Sequence, residues 1–157
     1  MKTLQIEESK ARGLYKNASP EFKTMLEDSF GKEFFSQKIT ERIKTYEDAC
    51  SELGITPVNE SALSNIGFTK DEIAYRKIKT ITEALNEGWR PDWKDDNQRK
   101  WFPWFDLSVS SGFVFDYTCW RYSYTGASDG SRLCFKSDEL ATYAGRQFEG
   151  LYKDFII

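Results

Sequence analysis

Histidine is absent from this 157-residue chain. That removes the commonest general base near neutral pH, the imidazole-activated serine or cysteine nucleophile, and every zinc site that needs an imidazole. Carboxylate, lysine, tyrosine and thiol chemistry stay open. Cysteine is scarce, with Cys50, Cys119 and Cys134 and no CxxC spacing. An odd, low count of this kind reads as reduced, buried thiols rather than as a disulfide framework. No apolar run approaches the roughly 20 residues of a membrane span. The stretch MKTLQIEESKARG lacks the apolar core of a secretory signal. A cytosolic setting without a membrane partner is therefore expected. An excess of positive charge is also missing. The net charge is −3 and the pI about 5.2, which works against binding that relies on Lys and Arg to displace counterions from phosphates.

Aromatic residues, by contrast, are abundant and concentrated. All five tryptophans lie between Trp89 and Trp120, amid Phe102, Phe105, Phe113, Phe115, Tyr117, Tyr122 and Tyr124. Length and composition fit one domain, 1–157, with a helical half over 1–88 and a Trp-rich half over 89–157.

The first half carries helix punctuation. Ile6 to Tyr15 has helical character broken by Gly13. Ser19-Pro20 is a start signal and Gly31 a stop. Thr40 is expected to cap a helix whose stripe is Ile43, Tyr46, Cys50 and Leu53, ending at Gly54. Residues 55–68 read as a loop with at most one helical turn. Thr69 and Glu72 form a capping box for a helix running to about Glu87, with Ala74, Ile78, Ile81 and Leu85 as its stripe.

Beyond Trp89, Pro91, Asp95-Asp96-Asn97 and Pro103 mark an irregular stretch. Residues 104–107, 113–124 and 132–136 are aromatic and β-branched enough for strands, with turns over 108–112 and 126–130. Ser137 caps a final helix with Leu140, Ala144, Phe148, Leu151 and Phe155 on its apolar face. The expected fold is α+β: N-terminal helices packed with a three-stranded antiparallel meander and a final helix, βββα. Alternation puts Phe105, Leu107, Phe113, Phe115, Tyr117, Leu133 and Phe135 on the core face. It puts Trp104, Asp106, Asp116, Thr118, Trp120, Tyr122 and Arg132 on the other.

Several constellations invite chemistry. Asp92, Asp95 and Asp96 lie close together but lack the spacing of a calcium loop, so they read as turn formers. Asp106 and Asp116 are candidates for an acid–base pair across the hairpin, the basis of a carboxylate-dependent hydrolase. Interleaved with Arg90, Lys94, Arg99, Lys100 and Arg121, the tryptophans are a candidate platform for single-stranded nucleic acid. Gly126 to Gly130 lacks a Walker lysine and reads as a turn. Trp, Tyr and Arg also anchor protein interfaces, and Trp93, Trp104, Trp120, Arg121 and Tyr122 are the expected binding residues. No residue is singled out for catalysis, for a metal or for a cofactor.

The stretches YKNASPEFKTMLEDSFGKEFF, ITERIKTYEDACSELGI, ALNEGWRPDW and GSRLCFKSDELATYAGRQFEGLYKDFI resemble small proteins encoded by phages, prophages and mobile elements of gut anaerobes. The resemblance implies a phage-related setting, in the host cytoplasm or on the virion, and assigns no functional residue. Together these readings lead to a non-enzymatic accessory protein that binds a host or phage protein through its Trp/Tyr-rich surface. Single-stranded nucleic-acid binding and a carboxylate-dependent hydrolase are the two alternatives.

Overall fold

A computed structural model describes residues 6–109, 112–127 and 130–157. The chain runs α1 (Glu8–Lys16), α2 (Pro20–Phe30), α3 (Lys32–Ser36), α4 (Ile39–Arg42), α5 (Tyr46–Leu53), α6 (Glu60–Asn65), α7 (Lys70–Leu85), β1 (Lys100–Val109), β2 (Gly112–Arg121), α8 (Asp138–Gln147) and α9 (Glu149–Ile156). Among the described residues no helix is long and apolar enough to cross a membrane.

Local signals start and stop several helices where the sequence places them. Ser19 Oγ accepts from the Phe22 amide and Gly31 ends α2. Thr69 and Glu72 close the capping box of α7. Ser137 caps α8. Three expectations about these helices fail. The helix after α4 is capped by Thr45, not Thr40, because Asp48 reaches back to the Thr45 amide at 2.9 Å. The loop after Gly54 contains a six-residue helix, α6, started by Asn59. The final helix is two helices, broken at Phe148, whose φ of −113° and ψ of 25° lie outside the helical pair. The break brings Glu149 to β2, where its carboxylate accepts the Phe115 amide at 2.8 Å.

The three-stranded meander is not what forms: the sheet has two antiparallel strands, β1 and β2. Residues 132–136 make one bridge to β1, in which Trp101 and Phe135 exchange both backbone hydrogen bonds at 2.8 and 3.0 Å. The next position along that edge is Pro103, which has no N–H to give, so the ladder stops there. On the far side of Phe135 the Asn86 carboxamide substitutes for another strand. It donates to the Cys134 carbonyl and accepts the Lys136 amide.

The main core joins α5, α7, α8, α9 and the hairpin. Phe105 lies at its centre, stacked on Phe113 at 4.6 Å and against Tyr152 at 4.9 Å. Helices α1 to α3 close a separate aromatic cluster, in which Tyr15 stacks on Phe35 at 4.1 Å and the Arg12 guanidinium lies 3.6 Å above Phe34. The chain leaves α7 through Glu87, which holds a φ of 50°. Its carboxylate bridges Arg42 and Lys136, each at 3.1 Å, and these bonds offset the backbone strain.

Helix α8 meets the hairpin at Gly145. A Cβ there would lie 2.3 Å from Phe115 Cδ2 and 2.9 Å from Pro103 Cβ. Helix propensity favours alanine at Gly145 and at Gly150, but Gly150 has open space around it. We expect Gly145→Ala to lower stability by about 1–2 kcal/mol through overpacking. Gly150→Ala should raise it by about 0.5 kcal/mol. Denaturant midpoints of the two variants measure both signs.

Candidate functional site

Cross-strand register decides which aromatics share a face. Trp101 lies opposite Trp120, Pro103 opposite Thr118 and Trp104 opposite Tyr117; then the register slips, so that Phe105 faces Phe115. The extra residue is Asp116, a bulge in β2. The Trp101, Pro103 and Phe105 face turns to α8, as Gly145 under Pro103 and the Thr118–Asp138 hydrogen bond show. The opposite face carries Lys100, Phe102 and Trp104 from β1 and Arg121, Cys119 and Tyr117 from β2.

This geometry corrects the simple alternation. Tyr117 and Leu107, expected in the core, are 50% and 51% exposed. Trp104 and Trp120, expected together, point to opposite sides. Trp104, 38% exposed, stacks with Tyr117 at 6.2 Å. Trp120, 37% exposed, has Trp101 at 6.5 Å, Tyr122 at 4.7 Å and the Arg99 guanidinium 4.7 Å above its ring. Arg121 is half-buried, and its guanidinium donates to the Trp120 carbonyl at 3.0 Å. Trp93 is half-buried beside the Lys100 ammonium, 5.4 Å away. Trp89 and Trp101 are half-buried as well. The five expected binding residues thus form more than one patch.

The outer edge of β1 is the feature that sequence reasoning missed. It is paired at Trp101 and open beyond Pro103 among the described residues. Alongside runs a groove of about 450 Å³ lined by Phe102, Trp104, Leu107, Leu133, Phe155 and Ile156, among others. Pro103 was visible in the sequence as the signal that pairing would stop there.

The acidic residues do structural work. Asp92 and Asp95 each accept the backbone amide two residues on, at 2.9 and 2.8 Å, and Asp96 accepts from Ser123. No group of three or more Cys, Asp or Glu suited to a metal occurs among the described residues. Asp106 pairs with Val114 rather than with Asp116. The Ser108 hydroxyl and amide hold its carboxyl below the ordinary range, so it stays anionic. The turns expected over 108–112 and 126–130 lie partly outside the described residues.

Comparison of the chain with protein-family models, curated proteins and solved structures gives no match.

Burial pushes the Cys134 thiol from its ordinary value of 9.0 up to about 11. The folded chain thus keeps a proton that the unfolded chain releases. This contribution to stability is intact below about pH 9 and is lost as pH rises towards about 11, at up to roughly 1.4 kcal/mol per pH unit. The buried Tyr152 phenol is shifted upward too and adds to the loss at higher pH. Denaturant unfolding across this range should show the decline, and Cys134→Ala should flatten its first part.

Proposed function

We propose that this is a non-enzymatic binding protein of phage or mobile-element origin. It takes up an extended, apolar segment of a host or phage protein along the open edge of β1, in the host cytoplasm or on the virion. The observation that carries the reading is the β1 edge, open beyond Pro103 among the described residues, next to an apolar groove. An edge strand offers backbone donors and acceptors to an added strand, and an adjoining groove selects alternate side chains. Trp104 and Tyr117, stacked and solvent-exposed, supply rigid aromatic area of the kind that dominates interface energetics. Leu107 widens the apolar rim at the end of β1. The register, which sets Asp106 opposite Val114 rather than Asp116, favours binding over a paired-carboxylate mechanism.

Display of random peptides against the immobilised full chain tests this reading. We expect enrichment of peptides with alternating apolar residues. Their binding should be lost in Leu107→Asp and weakened at least about tenfold in Trp104→Ala, the scale of an interface hot spot. Met25→Ala, on exposed α2, should bind as the parent does. Absence of enrichment, or equal binding by all three variants, would overturn the proposal.

A further inference from the structure

A second concavity, of about 520 Å³, lies between the C-terminal part of α7, residues 88–93 and residues 131–134. Its composition differs from that of the β1 groove. Two half-buried indoles, Trp89 and Trp93, stand in its wall beside three cationic side chains, Lys79, Arg90 and Arg132. The one carboxylate in the lining, Glu83, lies 3.8 Å from Arg90. The pocket is thus net positive on a chain of net charge −3. The Lys79 ammonium lies 5.6 Å over the Tyr75 ring, a contact that leaves its charge unneutralised.

An independent observation lies behind this wall. Lys100 is fully buried, and its ammonium has the Asp95 carbonyl at 3.0 Å and the Trp93 ring at 5.4 Å as partners. No carboxylate among the described residues neutralises it. A buried cation without a counter-ion is costly, and its field is poorly screened. Trp93, whose ring lies 5.4 Å from that ammonium, also lines the pocket.

We propose that this pocket binds a phosphorylated nucleoside, either as a free nucleotide or as the end of a single strand. The base lies against an indole, and the phosphate is drawn to Arg90, Arg132 and Lys79. Indole faces accept any base, and guanidinium groups match phosphate geometry with two donors each. A neutral aromatic ligand would leave the cations unused, and inorganic phosphate would leave the tryptophans unused. The site is separate from the β1 edge and does not depend on the peptide-binding reading.

The test is titration of the full chain, followed by tryptophan fluorescence and calorimetry. The probes are the four nucleoside monophosphates, adenosine, inorganic phosphate, and a short oligothymidylate with and without a 5′-phosphate. We expect at least one phosphorylated probe to bind, and to bind more tightly than adenosine or inorganic phosphate. Its affinity should fall with rising salt. Arg132→Gln, a change at an exposed residue, should weaken it about fivefold or more. Trp93→Ala should do the same, on the scale of one lost stacking contact. If Trp93→Ala fails to fold, Arg132→Gln and Lys79→Gln decide the matter. A 5′-phosphorylated strand that outbinds the mononucleotides identifies a strand end as the ligand, and equal affinities identify the free nucleotide. No binding of any phosphorylated probe at millimolar concentration overturns the proposal, as does binding unchanged in Arg132→Gln and Lys79→Gln.

Discussion

The approach of α8 to the hairpin at Gly145 is the contact on which the Trp-rich half depends. A two-stranded ribbon is marginal in water by itself. Here it is held because the helix backbone comes close enough to lie on Phe115 and Pro103, with no Cβ between them. That contact also sets Phe105 between Phe113 and Tyr152, at the centre of the core. Glu149 on the Phe115 amide and Asp138 on Thr118 fix the two ends of the crossing. Pro103 serves twice: its ring packs under α8, and its missing N–H ends pairing on the other edge of β1.

The division of the aromatic residues follows from this geometry. One face of the ribbon is spent on α8. The opposite face and the free β1 edge keep Trp104, Tyr117 and Leu107 in contact with solvent. Trp89 and Trp93 are drawn away to the end of α7, where they border the cationic pocket. A cluster that is continuous in sequence is therefore distributed over separate surfaces, one apolar and one positively charged. The ligands proposed for them differ in chemistry accordingly, and the peptide and nucleotide readings are tested independently.

Features whose cause is local were legible in the sequence. Ser19-Pro20, the Thr69–Glu72 box and Ser137 each satisfy exposed amides within one turn, and the helices begin there. One local signal was passed over: Thr45 and Asp48 make a capping box of the same kind, and it starts α5 in place of Thr40. Features whose cause is distant were not legible. The Asp116 bulge reverses which side Tyr117 faces, and no composition marks it. The break at Phe148 answers to packing and to the reach of Glu149 across 34 positions. Tryptophan density marked the segment that contains β1, but neither the open edge nor the division of the aromatics into separate surfaces was readable, because both depend on register and on the path of residues 88–97 around Lys100.

The central claim is that β1 is paired along one edge and, among the described residues, open beyond Pro103 on the other, and residue-resolved amide hydrogen exchange tests it most directly. The Trp101 amide, bonded to Phe135, and the Phe102 and Trp104 amides, directed at β2, should be protected. The Phe105 amide, facing outward next to the groove, should exchange at a rate set by solvent access rather than by unfolding of the hairpin. Protection of Phe105 equal to that of Trp101 would mean that the edge is already covered, and would contradict the account.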